Sequence, residues 1–453
     1  MAYTTINKST DHFNNKLWTG NGSARSITGV GFQPDWTWIK DRDNTRWHQV
    51  YDSVRGAGKV IYSNETTAEG DDINRLSGFI SDGFSLGTNN NVNDNAQKYV
   101  AWNWKAGGTA PAITYVVKVV SDSGNKYRFD DFGTSAVTLD LQEGGTYTFD
   151  QADSSNSGHP LRFYTAADKT GGEYTTGVTT NGTPGSSGAY TRITVAASAP
   201  TLYYQCSNHA GMGGQANTNS LFGSSNFKGA VQSLVSANTD AGFSIVKVSN
   251  LNSNTFGHGL NGTPSVVFSK RTDDVANWRV YYTGITSGNS LFLNSTSGSS
   301  SEGSRIGSTD ATTVTAVGSA TGGSAGTGTS INYCFQEITG YSKFGTYTGN
   351  GDASGPFVYL GFRPAWVITK NVTNALTSWS ISDNARPGYN VINDILFSDS
   401  AGAEQTFNYI DHLSNGFKIR YTSDSNTNGS SIFYMAFAEA PLVGSNNVPA
   451  TAR

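Results

Sequence analysis

The sequence predicts an all-β chain made of several sandwich-like units, and three observations carry that reading. Gly 53 and Pro 11 are spread among abundant Ser, Thr and Asn, the composition of many short strands joined by turns. The 36% hydrophobic and 12% aromatic content supplies packed cores, which argues against disorder. One module recurs along the chain, and 453 residues are too many for one ordinary domain.

The recurring module has a fixed internal order. Its anchor is a Pro followed six positions later by a Lys across an apolar strand: Pro34 to Lys40, Pro264 to Lys270 and Pro364 to Lys370. A Trp follows each Lys after seven to nine residues, at Trp47, Trp278 and Trp379. The first and third copies open on Thr19-Gly20-Asn21-Gly22 and Thr348-Gly349-Asn350-Gly351. Both later carry a turn and strand, Ser81-Asp82-Gly83-Phe84 and Ser414-Asn415-Gly416-Phe417. All three close on a small residue before an aromatic: Ala101-Trp102, Cys334-Phe335 and Ala436-Phe437. This order, over about 100 residues, reads as one β-sandwich per copy. At the first strand position the Pro removes a donor where no ladder partner is needed.

Composition sets the boundaries. The expected units are 1–110, 111–224, 225–340 and 341–442, with a polar tail at 443–453 that cannot pack by itself. The low-complexity stretch 295–304 reads as a mobile loop. Within the copies, Trp36, Trp47, Trp366 and Trp379 alternate with polar residues, the pattern of core positions in half-buried strands. The functional alternative for these four is an exposed platform that stacks on a sugar ring.

The unit at 111–224 departs from the repeat and lacks Trp altogether. Its strands fall near 115–119, 137–141, 146–149, 160–164, 192–195 and 202–205, enough for a second kind of sandwich. One constellation here carries chemistry: His159 ahead of a strand, then Cys206-Ser207-Asn208-His209-Ala210-Gly211-Met212. A strand end presents the Cys, and a tight loop returns His and Met to the same point. A thiolate, two imidazoles and a weak thioether form the trigonal-plus-axial set that suits copper. The whole chain holds two Cys, six His and three Met, so this ordering is not an accident of abundance.

At these residues, and along Leu139-x-Leu141-x-x-Gly144-x-x-Tyr147-x-Phe149, the module resembles the cupredoxins. The resemblance implies a Greek-key sandwich with His159, Cys206, His209 and Met212 as copper ligands, and an electron-transfer role for a loaded site. Pro160 departs from the pattern because its backbone cannot donate a hydrogen bond. The alternative is that these side chains only pack the loop. Cys334, equivalent to Ala101 and Ala436, reads as a buried small residue.

The opening Met1-Ala2-Tyr3-Thr4-Thr5-Ile6, Leu17-Trp18-Thr19-Gly20-Asn21-Gly22 and the Gly-Phe-x-Pro-x-Trp segments resemble repeat modules of tail-fibre-like virion proteins from marine bacteriophages, particularly cyanophages. That resemblance implies concanavalin- or jelly-roll-like sandwiches set in series on a virion appendage. It implies a tail fibre or tail-associated adhesin that meets a host glycan or protein through multivalent weak contacts. Other virion proteins and a homo-oligomer, with a trimer as the natural guess, follow as partners. The alternatives are a capsid decoration or knob-like part of the virion, and a copper-binding redox protein.

Other classes find no support in the sequence. Lys+Arg 30 against Asp+Glu 34 gives net −4, which argues against nucleic acid. No apolar run approaches the ~18 residues of a membrane span, and residues 1–13 lack the apolar core of a signal peptide. Assembly in a host cytoplasm fits that start. Two Cys exclude a disulfide scaffold. There is no Gly-x-Ser-x-Gly elbow, His-Glu-x-x-His or phosphate loop, so no enzyme is expected. Asp71-Asp72, Asp130-Asp131 and Asp273-Asp274 read as turn residues, and His48, His258 and His412 have no recurring partners across the copies.

Overall fold

The computed structural model describes residues 4–108, 110–219, 222–250, 252–301, 305–318 and 328–441. The tail 443–453, and 302–304 of the low-complexity stretch, lie outside the described residues. The fold is all-β: one helical turn, Asn90–Asn93, is the only α-helix among them.

Each repeat builds the same antiparallel sheet. In the first, the order is Phe13–Thr19, Lys98–Trp104, Trp36–Asp41, Gln49–Asp52. The second places Phe243–Ser249, Thr329–Phe335, Val266–Arg271 and Arg279–Tyr282 in that order. The third places Ser342–Thr348, Ser431–Pro441, Phe362–Asn371 and Ser380–Asp383 likewise. In register, Trp36 faces Trp104, Val266 faces Phe335 and Trp366 faces Phe437. Pro34 and Pro264 stand just ahead of their strands. Pro364 instead falls inside Phe362–Asn371, at a break in register, the other place where a strand tolerates a missing donor.

Period-2 alternation gives each of these sheets two apolar faces. In the first repeat, Ile39 and Tyr51 turn outward onto a small second sheet with Ile27, Phe84 and Leu86. Trp36, Trp38, Trp102 and Trp104 turn the other way, into a core shared with Phe243, Phe268, Trp278, Tyr333 and Phe335 of the second repeat and Trp366, Trp379 and Phe437 of the third. The rings meet directly: Trp36 stacks on Tyr333 with centroids 4.6 Å apart, Trp104 meets Phe437 at 5.5 Å, and Phe335 meets Phe437 at 5.9 Å. The repeats therefore lie around a common centre. The series arrangement expected for a fibre is corrected here, because the inner faces are too apolar to stand in water.

The seams between repeats are cyclic. Trp278 Nε1 donates to the Tyr62 carbonyl (2.7 Å), Trp379 Nε1 to the Phe292 carbonyl (2.8 Å) and His48 Nε2 to the Phe397 carbonyl (3.0 Å). Main-chain bonds follow the same rotation: Ala276 N to Thr66 O, Thr377 N to Thr296 O and Arg46 N to Ala401 O. Glu69 N to Thr272 O, Ser299 N to Val372 O and Glu404 N to Arg42 O complete a third set. The second repeat leans on the first, the third on the second and the first on the third. Head-to-tail contacts whose rotation closes make a ring.

Two expectations change as a result. His48, not Trp47, is the counterpart of Trp278 and Trp379: the main-chain N–H of each donates to an equivalent side chain, Asn64, Asn294 or Asp399, at 2.9 Å. The stretch 295–301 is not a mobile loop, because its carbonyls and Ser299 N–H supply a seam and Ser300–Ser301 pairs with Asn289–Ser290.

The Thr-Gly-Asn-Gly openings also find their reason. A Cβ at Gly20 would lie 2.0 Å from the Asp94 carbonyl and one at Gly349 2.3 Å from the Thr427 carbonyl, so only glycine fits. The following Asn21 and Asn350 amides donate to the buried Asn93 and Asn426.

Candidate metal centre

The unit between the first two repeats has its own core of Tyr115, Phe129, Phe149, Phe163, Tyr204 and neighbours. Two sheets enclose it. One runs Asn125–Phe129, Ala112–Ser121, Thr146–Asp150, Tyr190–Thr194, Val178–Asn181; the other runs Leu139–Gln142, Gln215–Asn219, Leu202–Cys206, Leu161–Tyr164. The 146–150 run Thr-Tyr-Thr-Phe-Asp buries only its aromatics, as a strand with one core face must.

Local structure brings the ligand candidates together. Cys206 ends its strand and pairs in register with Leu161, so His159, two residues earlier, arrives beside it. The loop after Cys206 doubles back tightly: a Cβ at Gly213 would sit 1.6 Å from the Tyr204 carbonyl, and only glycine allows that return. It delivers His209 to the opening and buries Met212.

The geometry fits one ion. Cys206 Sγ lies 3.8 Å from His159 Nδ1 and 3.5 Å from His209 Nδ1, and the two rings have centroids 4.7 Å apart. Metal–sulfur and metal–nitrogen bonds of ~2.3 and ~2.0 Å at tetrahedral to trigonal angles place S and N about 3.5–3.7 Å apart. Among the described residues, these three are the group of His, Cys, Asp or Glu close enough to share an ion. Burial, and after it the neighbouring His209, holds the His159 imidazole below its ordinary range, favouring the neutral ring a metal requires. Cys206 is fully buried, whereas His209 is exposed at the mouth.

A hydrogen-bonded frame surrounds the candidate ligands. The His159 carbonyl accepts from Tyr127 Oη and Gln151 Nε2, both at 2.9 Å. Gln151 Oε1 accepts from Leu161 N (3.1 Å), so one side chain brackets Pro160. Asn208 Nδ2 donates to the Gly158 carbonyl (2.9 Å), and Lys169 Nζ to those of Cys206 and Ser207 (3.2 and 3.3 Å). Sequence reading missed Tyr127, Gln151 and Lys169 because their bonds run to main-chain carbonyls, which no residue pattern marks.

Other candidates fall elsewhere. Trp36, Trp366 and Trp379 are buried in the common core, so none can offer a face to a sugar. Trp47 is 42% exposed, its ring set edge-on to Tyr62 at 5.0 Å. Burial pushes the Cys334 thiol up to about 12, which leaves it an inert packing residue. The Asp pairs are occupied: Asp71 by Lys59, Asp72 by Arg75, Asp131 by Lys118 and Asp273 by Arg271.

The sequence profile of one family, described as a domain of unknown function (DUF7483), matches residues 8–135 and 215–441. The chain belongs to that family. The match leaves out 136–214, the stretch that holds all four ligand candidates. No curated protein and no solved structure matches the chain.

Proposed function

We propose that this DUF7483 protein is a structural component of a virion surface: a rigid head in a tail-associated adhesin that meets the host envelope. Capsid decoration or a knob-like projection is the alternative placement. The observation that supports this reading is the cyclic seam. Three related modules locked by the same bonds present three related outward faces on one rigid body, which multiplies weak contacts without a single tight site. The compact ring favours a head or knob over an extended shaft. The test is immunogold electron microscopy of particles whose genome encodes the chain, with adsorption of the recombinant protein to host cells. Label on tail tips with cell adsorption supports the adhesin, label on the shell moves it to decoration, and label on no particle overturns both.

A second reading is favoured by the geometry of the cluster: the inserted unit would hold one copper ion through His159, Cys206 and His209, with the buried Met212 as the fourth candidate. When bound, copper supplies a one-electron couple and the thiolate its blue colour. The chain's own residues supply a neutral imidazole at His159, a sulfur shielded from water at Cys206 and an open approach beside His209. Purified protein titrated with Cu(II) is expected to turn blue with one ion per chain, and Cys206→Ser to abolish the colour and weaken binding at least ~10-fold. A colourless, metal-free wild type overturns this reading and leaves the virion assignment intact.

A further inference from the structure

We propose that Tyr127 sets the geometry of this centre, joining its two histidine- and methionine-bearing segments to the opposite sheet, with Gln151 as its partner at the same carbonyl. The inference rests on the copper reading and deepens it. Tyr127 lies on Asn125–Phe129, the edge strand of the five-stranded sheet, whereas Cys206 ends a strand of the four-stranded one and His159 stands two residues ahead of its neighbour Leu161–Tyr164. Its buried phenol crosses the sandwich and donates to the His159 carbonyl (2.9 Å). Its main-chain N–H, on the unpaired side of the edge strand, donates to the Met212 carbonyl (2.9 Å). One residue therefore touches the Met212 end of the candidate loop and the upstream histidine.

The need for such a strut follows from Pro160. Proline has no N–H to anchor the turn that carries His159: His159 N donates to the Asn156 carbonyl (2.8 Å), and beyond that bond the turn is held through its carbonyls. Tyr127 and Gln151 do this from two directions, fixing the peptide that sets where the imidazole points. Metal sites commonly lose ~10–100-fold in affinity when such outer partners are removed.

The test compares wild type with Tyr127→Phe, which keeps the ring and the main-chain bond and deletes only the hydroxyl. Tyr147→Phe serves as control, since its hydroxyl bonds Gln142 and Ser224 in the same core without touching a ligand. Copper affinity and the visible spectrum are read with the metal-free melting temperature. The expected result is about 10-fold or more weaker copper binding with a displaced band in Tyr127→Phe, and neither change in Tyr147→Phe. Wild-type affinity and spectrum in Tyr127→Phe overturn the proposal. If Tyr127→Phe melts below assay temperature, Gln151→Met removes the other donor to the same carbonyl, and an unchanged spectrum there overturns it equally. Failure of the wild type to take copper removes the metal reading itself, a different outcome.

Discussion

Lys40, Lys270 and Lys370 sit where a protein interior least tolerates a charge, fully buried at the end of the inward-facing column of each central strand. Each spends its ammonium on carbonyls: Lys40 on Asp41 and Asn44, Lys270 on Thr66 and Arg271, Lys370 on Ser295 and Thr377. Burial, the largest cause, brings all three down to about 8 from 10.5. Between those values the folded protein has released protons that the unfolded chain still holds, so stability rises with pH across that window. Denaturant titrations are expected to show the unfolding free energy climbing by a few kcal/mol from pH 8 toward pH 10, where unfolded tyrosines begin to ionise and reverse the trend. A flat or falling profile contradicts the assignment. Six-residue spacing from Pro made these lysines legible as a repeat landmark. Their partners were not legible, since for Lys270 and Lys370 they include main-chain oxygens of another repeat.

At the scale of the seams, the three junctions use two chemistries for one problem. Asp52 pairs with Arg55, and Tyr333 of the second repeat donates to it at 2.7 Å; Asp383 pairs with Arg386, and Trp102 of the first repeat donates to it at 2.9 Å. Glu69 and Glu404 reach the far side of each guanidinium. At the third junction the corresponding place belongs to Tyr282, with Ile285, and the ring of Tyr282 packs on Phe433 at 5.0 Å. Removing one member of a buried pair strands the other, whereas replacing both with apolar groups is far cheaper. Asp383→Asn is therefore expected to cost about 3–5 kcal/mol in chemical denaturation, and the double change Asp383→Tyr/Arg386→Ile distinctly less. A double variant as weak as the single one contradicts this account. The strand order was readable from Pro, Lys, Trp and the closing aromatic. The pattern aligns Trp47 with Trp278 and Trp379, because counting from Lys40 reaches a Trp first, and a histidine in an indole's place leaves no trace in composition.

Over the whole molecule, the inserted unit leaves and rejoins the ring at one place. Gln142 Nε2 donates to the Gly108 carbonyl (2.8 Å), while Gly223 N donates to Gln142 Oε1 (2.9 Å), so both crossings lie within reach of a single amide. Units inserted through close ends are separable from their host. Replacing 109–222 with a short Gly/Ser bridge is expected to preserve the cooperative unfolding of the ring, with its melting temperature moved by only a few degrees, and to remove the copper uptake proposed above. Loss of the ring's cooperative transition would show instead that the insert is part of its core. The convergence of His159, Cys206 and His209 was legible because Cys and His are rare here; the ring was not, since closure is a relation among distant segments.

That closure also fixes an order of events during synthesis. His48 and Arg46 receive their acceptors, Phe397 and Ala401, only when the last repeat has been made. At ribosomal rates of ~5–20 residues per second, the first repeat waits on the order of tens of seconds with its tryptophan face uncovered. The nascent chain must spend that interval shielded, by a chaperone or by provisional contacts of its own, before the circle can shut.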